Sequence, residues 1–211
     1  MSQLPASRDL VVLVADRDME AAVSGLLSRP EAANIRPISF QVYPHPSHDP
    51  GCRTDAIPFL RPFCRQFSHA LVLFDREGSG KDDVAAEALE LQLEEQLARN
   101  GWSDRAAVVV IAPELEAWVW SKSPQVDQVL GWQGRIPALR QWLVEEGFLS
   151  SPESKPDQPK EAFRQALRIV KRQPSSALFK QLASCVSIRN CQDRAFQKLL
   201  DRLVNWFPAS H

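Results

Sequence analysis

Tyrosine is almost missing from this chain, with one in 211 residues, and glycine is scarce at eight. So few glycines argue against a protein built on Gly-rich phosphate loops. Cysteine is limited to Cys52, Cys64, Cys185 and Cys191. Four in a chain this long make no disulfide framework, and no pair has the C-x-x-C spacing of a zinc ribbon or redox dithiol. No apolar run approaches the ~20 residues that a membrane span needs. Met1 to Asp9 is polar, without the apolar core of a signal peptide, so a cytoplasmic location with no membrane contact is expected. Charge of one sign is also lacking, since the net is -1. With 44% hydrophobic and 24% charged residues, the composition argues against wholesale disorder.

What is plentiful is proline, sixteen of them, and a hidden charge asymmetry. Residues 1–120 hold 11 Lys+Arg against 18 Asp+Glu, a net of -7, and residues 121–211 hold 14 against 8, a net of +6. The asymmetry reads either as attraction between two parts or as an acidic, metal-binding site facing a basic, anion-binding lobe.

The apolar pattern predicts a strand at Leu10 to Ala15, a helix from Asp16 to Ser28, and a second strand at Pro37 to Tyr43. A Pro-rich loop at Pro44 to Gly51 and a helix from Thr54 to about Phe67 follow. Ala70 to Phe74 and Ala106 to Ile111 are the third and fourth strands, with a long helix from about Asp82 to Arg99 between them. Pro113 opens a further helix through Trp120. Strand and helix alternate, and the strands are short apolar runs, so the fold class is α/β with a mostly parallel sheet flanked by helices. After Trp120 no strand signal remains. Helices are expected at Arg135 to Gly147, Lys160 to Arg172 and Gln192 to Phe207, with a linker at Ser150 to Pro159. The expected organisation is an α/β domain over residues 8–121 and a basic, all-helical C-terminal lobe over 122–211.

The acids cluster at predicted strand ends: Asp16 with Asp18 and Glu20 after the first, Asp75 with Glu77 after the third, Glu114 and Glu116 after the fourth. In an open parallel sheet, ligands gather at the carboxyl ends of the strands. Each acid taken alone suits a helix N-cap. Taken together, three segments bring hard carboxylate oxygens to one edge, a donor set for Mg²⁺ or Mn²⁺ and hence for phosphoryl chemistry. His45, His48 and Cys52 have the spacing of three zinc ligands, but a Pro-rich surface loop with solvated histidines is the favoured reading. Gly78-Ser79-Gly80-Lys81 lacks the first glycine and the Ser/Thr of a phosphate loop. The tail carries Lys155, Lys160, Arg164, Arg168, Lys171, Arg172, Lys180, Arg189, Arg194, Lys198 and Arg202. These form either a solvated face or contacts to phosphates.

Ala15-Asp16-Arg17-Asp18-Met19-Glu20 resembles the first acidic motif of Toprim-type proteins, and Phe74-Asp75-Arg76-Glu77-Gly78 resembles their Asp-x-Asp motif. Pro113-Glu114-Leu115-Glu116-Ala117-Trp118 is similar to the Pro-Glu-(Ile/Leu)-Glu-x-Trp signature of a bacterial Toprim-like group of unknown function. That group is related to the overcoming-lysogenization-defect nucleases. The helix at Pro159-Lys160 and the stretch around Lys180, Ile188, Arg189 and Cys191 resemble its helical tail. The resemblance implies a Toprim-like sheet with Asp16, Asp75 and Glu77 as metal ligands, and with Glu20, Glu114, Glu116 and Lys160 completing the catalytic set. It also implies Mg²⁺ or Mn²⁺, nucleic acid as substrate (DNA ahead of RNA), and partners among antiphage defence proteins. Asp16 stands where the family usually has Glu, Arg17 where it has Gly, and Glu77 where it has Asp. Each acidic swap moves the carboxylate by a methylene, which opens a second expectation: a non-catalytic defence subunit that binds partner proteins or senses nucleotides.

Overall fold

Three of the four strands are built on long apolar runs, and the remaining one carries Gln41 among its apolar residues. A computed structural model describes residues 8–151, 155–188 and 191–209. Arg189, residues 152–154 of the expected linker and the first seven residues of the polar N-terminal stretch lie outside these ranges. Strand β1 (Arg8–Val14) has Leu10 to Val14 wholly buried, as in a strand covered on both faces. β2 (Phe40–Pro44), β3 (Phe67–Asp75) and β4 (Ala106–Ile111) pair with it in the order β2-β1-β3-β4, all parallel. The α/β class expected from the pattern is therefore the observed one. Among the described residues no strand follows β4, and none of their helices is long and apolar enough to cross a membrane.

The chain leaves β1 toward β2 on one side and returns past β1 to β3 on the other. Right-handed crossovers then place helix α1 (Arg17–Leu27) on one face of the sheet. They place α2 (His48–Thr54), α3 (Ala56–Leu60) and α4 (Ala86–Leu97) on the opposite face, and α3 does pack against α4. Between β1 and β3 the strand order reverses, and both strands end there at the same level: Val14 sits opposite Leu73, two residues short of Asp75.

Several local expectations shift. The Pro44 to Gly51 loop shortens, because Pro44 extends β2 and α2 begins at His48. Pro50 falls in the first helical turn, where its missing N–H costs nothing. Gly51 is needed there, since a Cβ would lie 2.0 Å from Nδ1 of His45. The helix expected from Thr54 breaks after Leu60 into one 3₁₀ turn, Arg61–Phe63, and the chain is already strand at Phe67. The long helix begins at Ala86, leaving Asp82 and Asp83 in the preceding turn. The helix expected after Pro113 is a single 3₁₀ turn, Leu115–Trp118.

The tail contributes α5 (Gln125–Leu130), α6 (Leu139–Glu145), α7 (Pro159–Ile169), α8 (Ser176–Cys185) and α9 (Arg194–Trp206). α5 has no counterpart among the expected helices, and α8 falls in the Lys180 stretch that only the family resemblance made part of a helical tail. α8 lies on α1, and the contact is close because Gly25 has no side chain: a Cβ there would come within 2.8 Å of the Lys180 carbonyl oxygen. α9 lies against β4. One hydrophobic core runs from Leu10 through Trp120 and Trp132 to Phe207, so it is continuous across residue 121.

Candidate functional site

Asp16 follows β1 and Asp75 ends β3, so the two acids flank the point where the strand order reverses, the usual ligand position in an open parallel sheet. Asp16 has an Oδ1 that accepts the Met19 N–H at 2.9 Å, and so it caps α1. One turn on, half-buried Glu20 donates its own amide to the Asp16 carbonyl at 3.0 Å.

Asp75 is the centre of the site. Its amide donates to Oδ1 of Asp49 at 2.7 Å, which ties α2 to the end of β3. Its carboxyl Oδ1 is closed off from solvent and has no hydrogen-bond partner. Burial, joined by the nearby charges of Asp49 and Glu116, holds this carboxyl well above its ordinary range. The Leu115 amide and Lys160 oppose that only in part. Asp49 is pushed up too, by burial and by Asp16, against the amide of Asp75. Glu116, on the 3₁₀ turn after β4, is buried and likewise raised, with Lys160 opposing and Glu114 and Asp16 adding to the rise.

Glu114 plays a different part. It is buried, its Oε1 accepts the Lys160 amide at 3.0 Å, and its Oε2 takes the Lys160 ammonium at 3.3 Å. One carboxylate thus anchors the first turn of α7 and points a lysine at the cluster. Burial lowers the affinity of Lys160 for its proton, but Glu116, Glu114 and Asp75 outweigh it and the pKa is raised.

The structure therefore gathers Asp16, Asp75, Glu114, Glu116 and Lys160 from the expected set. Glu20 and Glu77 stand at its margin. Glu77 is exposed, its amide on the Pro113 carbonyl at 3.1 Å, and neither side chain makes a hydrogen bond or ion pair among the described residues. The residue that sequence reasoning missed is Asp49. It was hidden in the Pro-rich stretch whose only apparent chemistry was His45, His48 and Cys52. Of those, His45 is buried, with its Nδ1 accepting the Ser47 N–H at 3.0 Å. Cys52 is wholly buried, and burial pushes its thiol far up. Trp118 and Trp120 are packing residues, donating to Asp193 (3.0 Å) and to the Pro159 carbonyl (3.0 Å).

Four carboxylates under mutual repulsion can be held by protons or by a cation. Among the described residues no three His, Cys, Asp or Glu side chains are set around one ion. Mg²⁺, however, is commonly held by one or two carboxylates, with waters and substrate phosphates completing an octahedron. Asp75, with a sealed and unpartnered oxygen, and Asp49 beside it meet that requirement in donor chemistry. No family model, curated protein or solved structure matches this chain.

Proposed function

We propose that this chain is a Mg²⁺- or Mn²⁺-dependent phosphodiesterase acting on nucleic acid, DNA ahead of RNA, within a bacterial antiphage defence system. The observation that supports it is Asp75: a carboxylate with a sealed, unpartnered oxygen beside Asp49 and Glu116, at the ligand-binding point of the sheet. Asp75 and Asp49, with Asp16 adjacent, would hold the metal. Glu77 is left at the edge of the set. The metal would polarise the phosphoryl oxygen and steady the charge that develops on it. Glu116, whose pKa burial raises, suits a general base that takes a proton from the attacking water. The water oxygen bonds to phosphorus as its proton passes to Glu116, the bond to the leaving oxygen breaks, and that oxygen takes up a proton from solvent water. Lys160 offsets the phosphate charge, and Glu114 holds Lys160 in place.

The test is Mn²⁺ calorimetry with a short DNA duplex present, on wild type and Asp75→Asn. Binding to wild type that is lost in the variant is expected. The absence of binding to either protein overturns the reading.

One observation favours a second reading. The ammonium of Lys160 already lies among the acids and neutralises part of the charge a metal would meet. Together with Arg17 and Glu77 this fits a non-catalytic defence subunit that binds partner proteins or senses nucleotides. Partner capture that survives loss of Asp16, Asp49, Asp75 and Glu116 would support it.

A further inference from the structure

The basic residues of the tail divide by what already holds them. Arg194 pairs with Glu87 and Glu90, and Lys198 with Glu90 and Glu94. Lys155 pairs with Asp193, and the Arg172 guanidinium donates to the Val129 carbonyl. Arg164, Arg168 and Lys171 are exposed and enter no ion pair among the described residues.

These cations are placed with order. Lys160, Arg164 and Arg168 follow one another at i, i+4 and i+8 on α7, so they form one row with a rise of about 6 Å per step. Ala162, Phe163, Ala166 and Leu167 are buried on the other side and fix which face the row presents. Lys171 follows just past the helix end. The one acid of α7, Glu161, accepts from the Gln165 side-chain Nε2 at 2.7 Å. The row begins inside the acid cluster, at Lys160, whose side chain is still 42% exposed while it pairs with Glu114. Acids that are to act on a polyanion also repel it, so such a site needs cations beside it to hold the chain.

We propose that the Lys160–Arg164–Arg168 row, continued by Lys171, is the track along which a nucleic-acid phosphodiester backbone lies as it reaches the acid cluster. This rests on the nucleic-acid part of the reading above and is independent of catalysis.

The probe is a fluorescein-labelled 20-base-pair DNA duplex, and its single strand in a second arm. Binding is read by anisotropy in EDTA between 50 and 200 mM salt. Each phosphate contact contributes about 0.9 to the slope of log K against log salt on duplex. The Arg164→Gln/Arg168→Gln/Lys171→Gln variant should lose about 2.7 from that slope and bind at least tenfold more weakly at the upper salt. Lys180→Gln/Arg202→Gln, exposed on α8 and α9, should bind as wild type does. The track is refuted if the triple variant keeps the wild-type slope, if the control loses as much, or if wild type binds neither DNA. Cleavage lost in Asp75→Asn with DNA binding intact in the triple variant would refute the track and leave the enzyme reading standing. The opposite pair of results would do the reverse.

Discussion

Glu90 and Asp75 are both carboxylates buried against the sheet, and they are treated in opposite ways. Glu90 sits on α4 beside the outer strand β4, and all its capacity is used. It accepts the Val110 N–H at 2.8 Å, pairs twice with Arg194 and takes Lys198 at 3.1 Å. Glu94 does the same one turn on, accepting the Val108 N–H at 2.9 Å, while Arg194 donates to the Val110 carbonyl at 2.8 Å. Side chains therefore fill the open hydrogen-bonding edge of β4, which would otherwise invite another strand. Asp75 has the like charges of Asp49 and Glu116 beside it, offset only in part by the Leu115 amide and Lys160, and an oxygen with nothing to bond. A buried charge that is fully paired maintains structure. One left short of partners carries an uncompensated cost, and that is how binding sites are commonly marked.

The two acids should therefore respond in opposite ways to removal. On the proposed reading, Asp75→Asn should lower metal-dependent cleavage by about 10³-fold, roughly 4 kcal/mol in the barrier, and leave folding intact. Glu90→Ala should do the opposite, costing about 3 kcal/mol in urea unfolding while Mn²⁺ binding persists. That figure is at the lower end for a broken buried pair, because the side chains of Arg194 and Lys198 are 39% and 20% exposed and can turn to water. Equal stability losses in the two variants would erase the distinction.

A smaller effect comes from the proton that Asp75 retains. The folded protein holds the Asp75 proton more tightly than the unfolded chain, whose carboxyl has the ordinary value of 3.8. Folded molecules then bind more protons, so in metal-free buffer this site makes stability fall as pH rises above about 4, contrary to the usual acid behaviour. Asp49 and Glu116 act in the same direction. Asp75→Asn should flatten that decline and be more stable than wild type at pH 7 without metal, and saturating Mn²⁺ should abolish the advantage. A variant less stable than wild type at pH 7 would show that the carboxylate is paired after all.

How much of this the sequence disclosed depended on whether the signal was local. β4 is read to its ends, because Ala106 to Ile111 is apolar throughout, follows Arg105 and is closed by Pro113 two residues on. Asp16, Asp75, Glu114 and Glu116 were found because each closely follows an apolar run, so strand topology alone brings them together. Asp49 belongs to no such run. It enters the site because α2 folds back on β3, a long-range contact that composition does not encode. Glu77 was paired with Asp75 by motif spacing, yet the structure leaves it exposed. α8 is not legible from apolar spacing, because its apolar positions, Leu178, Phe179 and Leu182, cover one short stripe that gains meaning only against Gly25 of α1. The basic tail was legible as charge. Its division into paired and unpaired cations was not, since the partners Glu87, Glu90 and Glu94 lie about a hundred residues away.

The smallest effect lies at the other end of the sheet, where no metal is expected. His69 near the start of β3 stacks on Trp206 with ring centroids 4.7 Å apart and meets Phe207 edge-on at 5.1 Å, so it helps dock the end of α9. Its Nδ1 is sealed and unpartnered, as is the Asp75 oxygen, but here burial and the nearby Arg105 favour the neutral form, with Asp9 opposing. The folded pKa lies below the unfolded 6.5, so the unfolded chain binds more protons in between. Stability from this contact is complete above pH 6.5 and is lost as pH falls through the folded value, opposite in sign to the Asp75 effect. His69→Phe keeps the stack and removes the titration. Between pH 7.5 and 5.5 the urea midpoint of wild type should therefore fall relative to that of the variant. Parallel midpoints would mean that His69 is already free to take its proton in the folded state, and that its missing partner, unlike that of Asp75, is supplied by solvent.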